Sequence, residues 1–201
     1  MLHQLIAGLF KKRPSSSKKL RPQLEMVRPN LENLPEISIP EGYDLRTYLP
    51  GDEAAWCRIM EGNVGRNWTD EKWKEQIVQD ARFDPGNLFF ATHEGEPVAS
   101  GCAWRRQGDS EVGELHLIAA LESHRGKGLG NLINAAILHC LKNLEFQSAH
   151  LLTDDFRLTA IKSYLKVGFV PEHTHGNHKK RWKDVLEQLG VTDLTPPASL
   201  P

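Results

Sequence analysis

Nothing in this 201-residue chain constrains its fold more than the passage from Glu114 to Leu141, where "ELHLIAA" runs into "LESHRGKGLG" and then "NLINAAILHCL". The first run alternates, with Leu115, Leu117 and Ala119 on one expected face and Glu114, His116 and Ile118 on the other, which predicts a strand. After the glycines, Leu129, Leu132, Ile133, Ala136, Ile137, Cys140, Leu141 and Leu144 recur at helical spacing. Glycine inside a helix costs about 1 kcal/mol relative to alanine. Gly126, Gly128 and Gly130 therefore point to a tight turn ahead of this helix, to a backbone that something must approach closely, or to both. The first N–H groups of a helix lack internal partners and sit at its positive end, so the turn predicts an anion site. Arg125 and Lys127 add full charges. The spacing is not that of a Walker A loop or a GxGxxG dinucleotide fingerprint. It is R-x-x-G-x-G, carried by Arg125, Gly128 and Gly130.

The rest of the chain supplies the surrounding elements. "YDLRTYL" reads as a strand, and "PGDEAAWCRIMEG" as a helix entered through Pro50-Gly51 with Asp52 at its cap. "TDEKWKEQIVQD" is a second helix, opened by Thr69 with acids in its first turn. "NLFFATHEGEPVASGCAWRR" is a hairpin about Glu94-Gly95-Glu96-Pro97. Beyond the glycine-led helix, "SAHLLTD" is a strand and "FRLTAIKSYLKVG" a helix closed by Gly168. "GFVPE" and "HKKRW" are read as two last strands and "KDVLEQLG" as a terminal helix. The expected fold is α/β, a mixed central sheet flanked by helices in the order β-α-α-β-β-β-α-β-α-β-β-α. The folded domain is expected over residues 37–190, after a basic tail at 1–36 largely without fixed structure and before a Pro-rich tail at 191–201.

A second motif stands downstream of the first. "AIKSYLKVGF", Ala160 to Phe169, is similar to the AIxxYxxxGF signature of the GNAT superfamily of acyl-CoA-dependent N-acyltransferases, whose R-x-x-G-x-G loop cradles a pyrophosphate. On both motifs the chain resembles that superfamily from Ile37 to about Trp182, and its opening and Trp182 regions look closest to mycothiol synthase-like members. The resemblance implies an N-acetyltransferase that uses acetyl-CoA as cosubstrate and works by direct attack in a ternary complex. Backbone amides of Arg125, Gly126, Lys127, Gly128, Leu129 and Gly130 would bind pyrophosphate. Those of Leu117, Ile118 and Ala119 would bind the pantetheine arm and polarise the thioester carbonyl, where negative charge develops. Glu114 or His116, separately or through a water chain, would take the proton from the acceptor amine. Tyr164 would protonate the departing thiolate. One departure stands out: Arg157 occupies the place where many relatives carry a pantetheine-bonding asparagine. A catalytically inactive domain that binds acyl-CoA as a signal is the alternative reading.

Charge bears on partners. Residues 1–22 hold Lys11, Lys12, Arg13, Lys18, Lys19 and Arg21 and no acid, so a formal net charge of −1 leaves −7 on the other 179 residues. A mildly acidic body argues against nucleic acid binding by the folded domain. A helix-spaced apolar run, Leu2 to Phe10, ahead of the basic stretch is a membrane-surface candidate, but its order is the reverse of a secretory signal. No apolar run nears the roughly 20 residues of a membrane span. Cys57, Cys102 and Cys140 form no CxxC pair and read as free thiols, so a cytoplasmic location is expected. His173, His175 and His178 lie in an expected loop with only Glu172 nearby, and no metal is expected there. Trp56, Trp68 and Trp73 either frame the acceptor or fill the core. The partner implied is a small-molecule or peptide amine.

Overall fold

The computed structural model describes residues 21–192. The amphipathic run Leu2–Phe10 and the chain from 193 onward lie outside the described residues. Seven strands and five helices follow one another: β1 (Leu24–Arg28), β2 (Tyr43–Thr47), α1 (Glu53–Met60), α2 (Asp70–Trp73), β3 (Leu88–His93), β4 (Glu96–Arg105), β5 (Val112–Ala120), α3 (Leu129–Asn143), β6 (Ser148–Thr153), α4 (Leu158–Lys166), β7 (Val170–Glu172) and α5 (His178–Leu189). The sheet order is β2-β3-β4-β5-β6-β1-β7. β5 and β6 are its parallel pair, and every other neighbouring pair is antiparallel. Among the described residues no helix is long and apolar enough to cross a membrane.

Two cores flank the sheet. On one face α3, α4 and α5 deliver Leu132, Ile133, Ile137, Leu141, Ile161, Trp182 and Val185 onto Leu24, Met26 and Leu151. On the other, α1 and α2 cover β3, β4 and the end of β5 with Trp56, Ile59, Met60 and Trp73. α2 opens as its sequence predicts, with Thr69 accepting from the Lys72 amide, and then widens into a π-turn over Lys74–Val78. Asp52 stands at the start of α1 but does not cap it. Its carboxylate instead accepts from Arg46 and from the Leu49 amide at 2.7 Å.

Two expectations are corrected. The segment before Ile37 is not all tail, because β1 lies between β6 and β7 and pairs with both. In "LEMVR" the apolar residues Leu24 and Met26 are fully buried, while the charges that made the stretch look solvated are satisfied internally. Arg28 donates to the carbonyls of Val167, Asn30, Glu32 and Asn33, tying β1 to the end of α4. The second correction is "HKKRW", which is helix rather than strand. His178, Arg181, Trp182 and Val185 form one buried stripe at i, i+3, i+4, i+7, with Lys179, Lys180 and Lys183 left outside.

Candidate active site

The site is built where β5 parts from its parallel neighbour. The β5–β6 ladder runs Val112–Ser148, Gly113–Ala149, Glu114–His150 and stops, although β5 continues to Ala120 and β6 to Thr153. On its other side β5 stays paired with β4, through a bulge in which Leu117 and Ile118 together oppose Gly101. Leu117 takes a left-handed backbone, φ 51°. The extra residue breaks the alternation expected from the sequence: Leu115 and Ile118 pack into the α3 core, whereas Leu117 and Ala119 pack into the α1 core. Gly101 is a glycine of necessity, since a Cβ there would lie 2.6 Å from Ile133 and 2.9 Å from Ile118.

Immediately downstream lies the glycine turn. Gly126 and Gly128 have positive φ, 76° and 85°, and Gly128 directly precedes α3. Arg125, Gly126, Lys127 and Gly128 are exposed, and Leu129 anchors the helix start in the core. Among the described residues, no backbone N–H from Gly126 through Asn131 donates to a backbone carbonyl, and Leu132 is the first to do so, onto Gly128. Gly130 has a different role: its Cα faces Ser163 of α4, whose hydroxyl donates to Asn131 and accepts from Asn134. That hydroxyl pins the second motif to the first. The Arg125 side chain leaves the turn and donates to Asn63, 2.6 Å away, which in turn reaches the Ala120 carbonyl.

On the α1 face, Glu114 and His116 are brought together. His116 Nδ1 lies 2.7 Å from Glu114 Oε1, and the ring stacks on Trp104 with centroids 4.0 Å apart. The Glu114 side chain is 11% exposed and that of His116 28%, so the imidazole is the member that meets solvent. Burial by itself would raise the Glu114 carboxyl, but the His116 hydrogen bond and the charges of His116, Arg82 and His150 outweigh it and hold the group below its ordinary range. Arg82 stands 3.8 Å from Glu114, stacks over Trp104 and is gripped by Asp80. On the opposite face Tyr164 is buried beside Phe169, and burial pushes its hydroxyl upward, so it holds its proton at neutral pH. Glu114 and His116 thus stand together on the α1 face of the sheet, and Tyr164 lies in the core on the opposite, α3 face.

Comparison with known proteins gives this geometry a family. The family model described as the acetyltransferase (GNAT) family matches residues 53–169. The chain belongs to the GNAT acetyltransferase family. Among curated relatives it is 30% identical over 161 residues to a mycothiol acetyltransferase of Thermomonospora curvata, covering 75% of this chain and 52% of that one. It is 33% identical over 151 residues to that of Nocardia farcinica, covering 70% and 49%. The chain therefore spans about half the length of these relatives. A GCN5-related N-acetyltransferase structure from Sphaerobacter thermophilus matches the fold with a TM-score of 0.62 at 22% identity, over 76% of this chain and 50% of that chain.

Within this GNAT domain Arg157, the departure that stands out in the sequence, donates through Nη2 to the Ile118 carbonyl at 3.1 Å, across the split. Other polar groupings have no signal in the local sequence. His150, paired with Glu114 on the sheet, lies 3.1 Å from Glu25, which also bonds Thr174 and approaches Arg106. Glu25, His150 and Glu172 bring donor atoms within 4.8 Å of one another, a grouping that the spacing of the histidines did not reveal. His173 and His175 are exposed, whereas His178 is fully buried. Trp56 and Trp73 are core residues, and only Trp68 is partly exposed, its indole donating to the Val64 carbonyl. Cys57, Cys102 and Cys140 are all free thiols.

Proposed function

We propose that this GNAT domain transfers the acetyl group of acetyl-CoA to an amine in a ternary complex. The observation that carries the reading is the end of the β5–β6 ladder at Glu114–His150, directly ahead of a turn whose amides from Gly126 to Asn131 have no backbone acceptor among the described residues. A pyrophosphate would satisfy those amides, with Lys127 beside it. The backbone of Leu117, Ile118 and Ala119, beyond the last β5–β6 rung, would hold the pantetheine arm on the side that β6 leaves open. Its N–H groups would face the oxygen that gains charge as the carbonyl is attacked.

His116 is the base and Glu114 its orienting partner. With Nδ1–H donated to the Glu114 carboxylate, Nε2 is left as the acceptor, and an imidazolium formed there faces a buried negative charge. The acceptor nitrogen gives its proton to His116 Nε2 as its lone pair bonds the thioester carbon. The carbon–sulfur bond breaks with its electron pair on sulfur. Tyr164 then supplies a proton to that sulfur from the other face of the sheet. The relatives' names point to a small-molecule acceptor before a peptide.

Calorimetric titration with acetyl-CoA, followed by thiol release over a panel of small amines and then peptides, tests the reading. Saturable binding with thiol release is expected. Binding without turnover across the panel favours the inactive acyl-CoA sensor, and absence of binding removes both readings.

A further inference from the structure

Arg157 has an unusual placement. It occupies the residue before the first turn of α4, a position where Ser, Thr, Asp or Asn normally caps the free amides. Arginine forfeits that bond, and α4 has no side-chain cap. The guanidinium instead crosses to β5 and donates to the Ile118 carbonyl, inside the bulge and beyond the last rung of the β5–β6 ladder. Among the described residues no carboxylate pairs with it. The two acids just before it are engaged elsewhere, Asp155 with Arg181 and Asp154 with Gln23. A half-buried, unneutralised cation with most of its five donors unused therefore sits at the split.

Tyr164 follows Arg157, the N-cap of α4, by seven residues, about two turns of helix. Helical side chains lean toward the N-terminus, which tilts the Tyr164 ring back toward Arg157. Among the described residues, Arg157 is the charged group that acts on the Tyr164 hydroxyl, and it opposes the upward push of burial.

We propose that Arg157 is a positioning residue for the leaving-group side of acetyl transfer, fixing the bulge through Ile118 and holding a permanent positive charge beside Tyr164. This rests on the acetyltransferase reading above. When the carbon–sulfur bond breaks and its pair settles on sulfur, the proton moves from Tyr164 Oη to sulfur, leaving a phenolate that later regains a proton from solvent. The guanidinium transfers nothing; it stabilises the negative charge that passes from sulfur to phenolate.

The test compares the full chain with Arg157→Gln and Arg157→Lys in two readouts. In turnover, Arg157→Gln is expected to lower kcat about tenfold, part of the 10²–10⁴ that general acid catalysis supplies. Its KM for acetyl-CoA should change less than kcat, and the alkaline limb of kcat should move to higher pH. Arg157→Lys should keep the limb near its original place. The second readout needs no turnover. The chain has three tyrosines, Tyr43, Tyr48 and Tyr164, and ultraviolet titration with and without Tyr164→Phe assigns the last one. Its ionisation should move upward in Arg157→Gln. An unmoved Tyr164 titration, an unmoved alkaline limb, or a loss confined to KM would overturn the inference. Failure of the wild-type chain to bind acetyl-CoA would instead overturn the parent reading, with the tyrosine titration still deciding the electrostatic relationship.

Discussion

Glu114 and His116 are held as a pair, Oε1 and Nδ1 2.7 Å apart on one strand face, with the carboxylate inside and the imidazole facing outward. In the proposed reaction the arrangement would divide one job between two residues. The buried carboxylate would fix the ring and stabilise its charged form, and the exposed imidazole would exchange the proton.

Glu114→Gln keeps the size of the side chain but cannot stabilise an imidazolium. It is expected to reduce kcat about 10²-fold with little change in acetyl-CoA affinity. His116→Gln should cost about as much, and the double variant scarcely more, because the two act as a unit. Steady-state kinetics on the four proteins measures this. Fully additive losses would show that the residues work independently.

Gly128→Ala places a Cβ at φ 85° in the residue leading into α3. The left-handed backbone costs a non-glycine residue about 1–2 kcal/mol. The nearest atom, on Pro40, is 3.7 Å from the new Cβ, so backbone conformation rather than crowding sets the penalty. The turn is expected to relax away from its present shape, weakening acetyl-CoA binding roughly 5- to 30-fold with the fold retained. Calorimetry alongside circular dichroism checks both halves.

Asp80 carries a pH-dependent part of the stability. Its hydrogen bonds to the Arg82 side chain, first, and to the Arg82 amide lower its carboxyl from 3.8 to about 2, against the opposing effect of burial. A depressed folded value means the stabilisation is fully present above the unfolded value and is lost as pH falls through the folded one. Asp80→Asn should therefore be less stable than the parent at neutral pH. The gap should close between about pH 4 and pH 2, as the parent loses what the variant never had. Chemical denaturation at a series of pH values reads this, and a gap independent of pH would contradict it.

Met26→Ala tests whether residues before Ile37 belong to the fold. Met26 is fully buried and pairs with Leu151 on one side and Pro171 on the other. Loss of about 2–5 kcal/mol is expected from the removed contacts and the cavity left behind. A stability change near zero would return this segment to the tail.

Much of this architecture is legible in the sequence because it is local. The glycines at 126, 128 and 130, the apolar spacing of α3 and the "AIKSYLKVGF" helix each declare themselves within one or two turns of chain. So does Thr69 at the start of α2. A helical period or a turn residue acts over a few neighbours, and those neighbours are visible in order. Glu114 and His116 could also be placed on one strand face from spacing alone, though not as a dyad with the carboxylate inside.

What tertiary structure decided is what distant segments supply to one another. β1 reads as solvated chain until Arg28 is seen donating to a carbonyl 139 residues away and Glu25 to meet His150 across 125. "HKKRW" has too few residues to reveal its period; it becomes helix because Trp182 and Val185 find the α3–α5 core. The bulge at Leu117 follows from β4 matching two residues with one, and it moves Ile118 to the opposite face from the one that alternation assigns. The contact of Arg157 with Ile118 spans 39 residues and exists only because β5 and β6 separate. Sequence specifies each element through short-range sterics and periodicity, whereas the pairing of buried charges and the opening of the sheet depend on which elements meet.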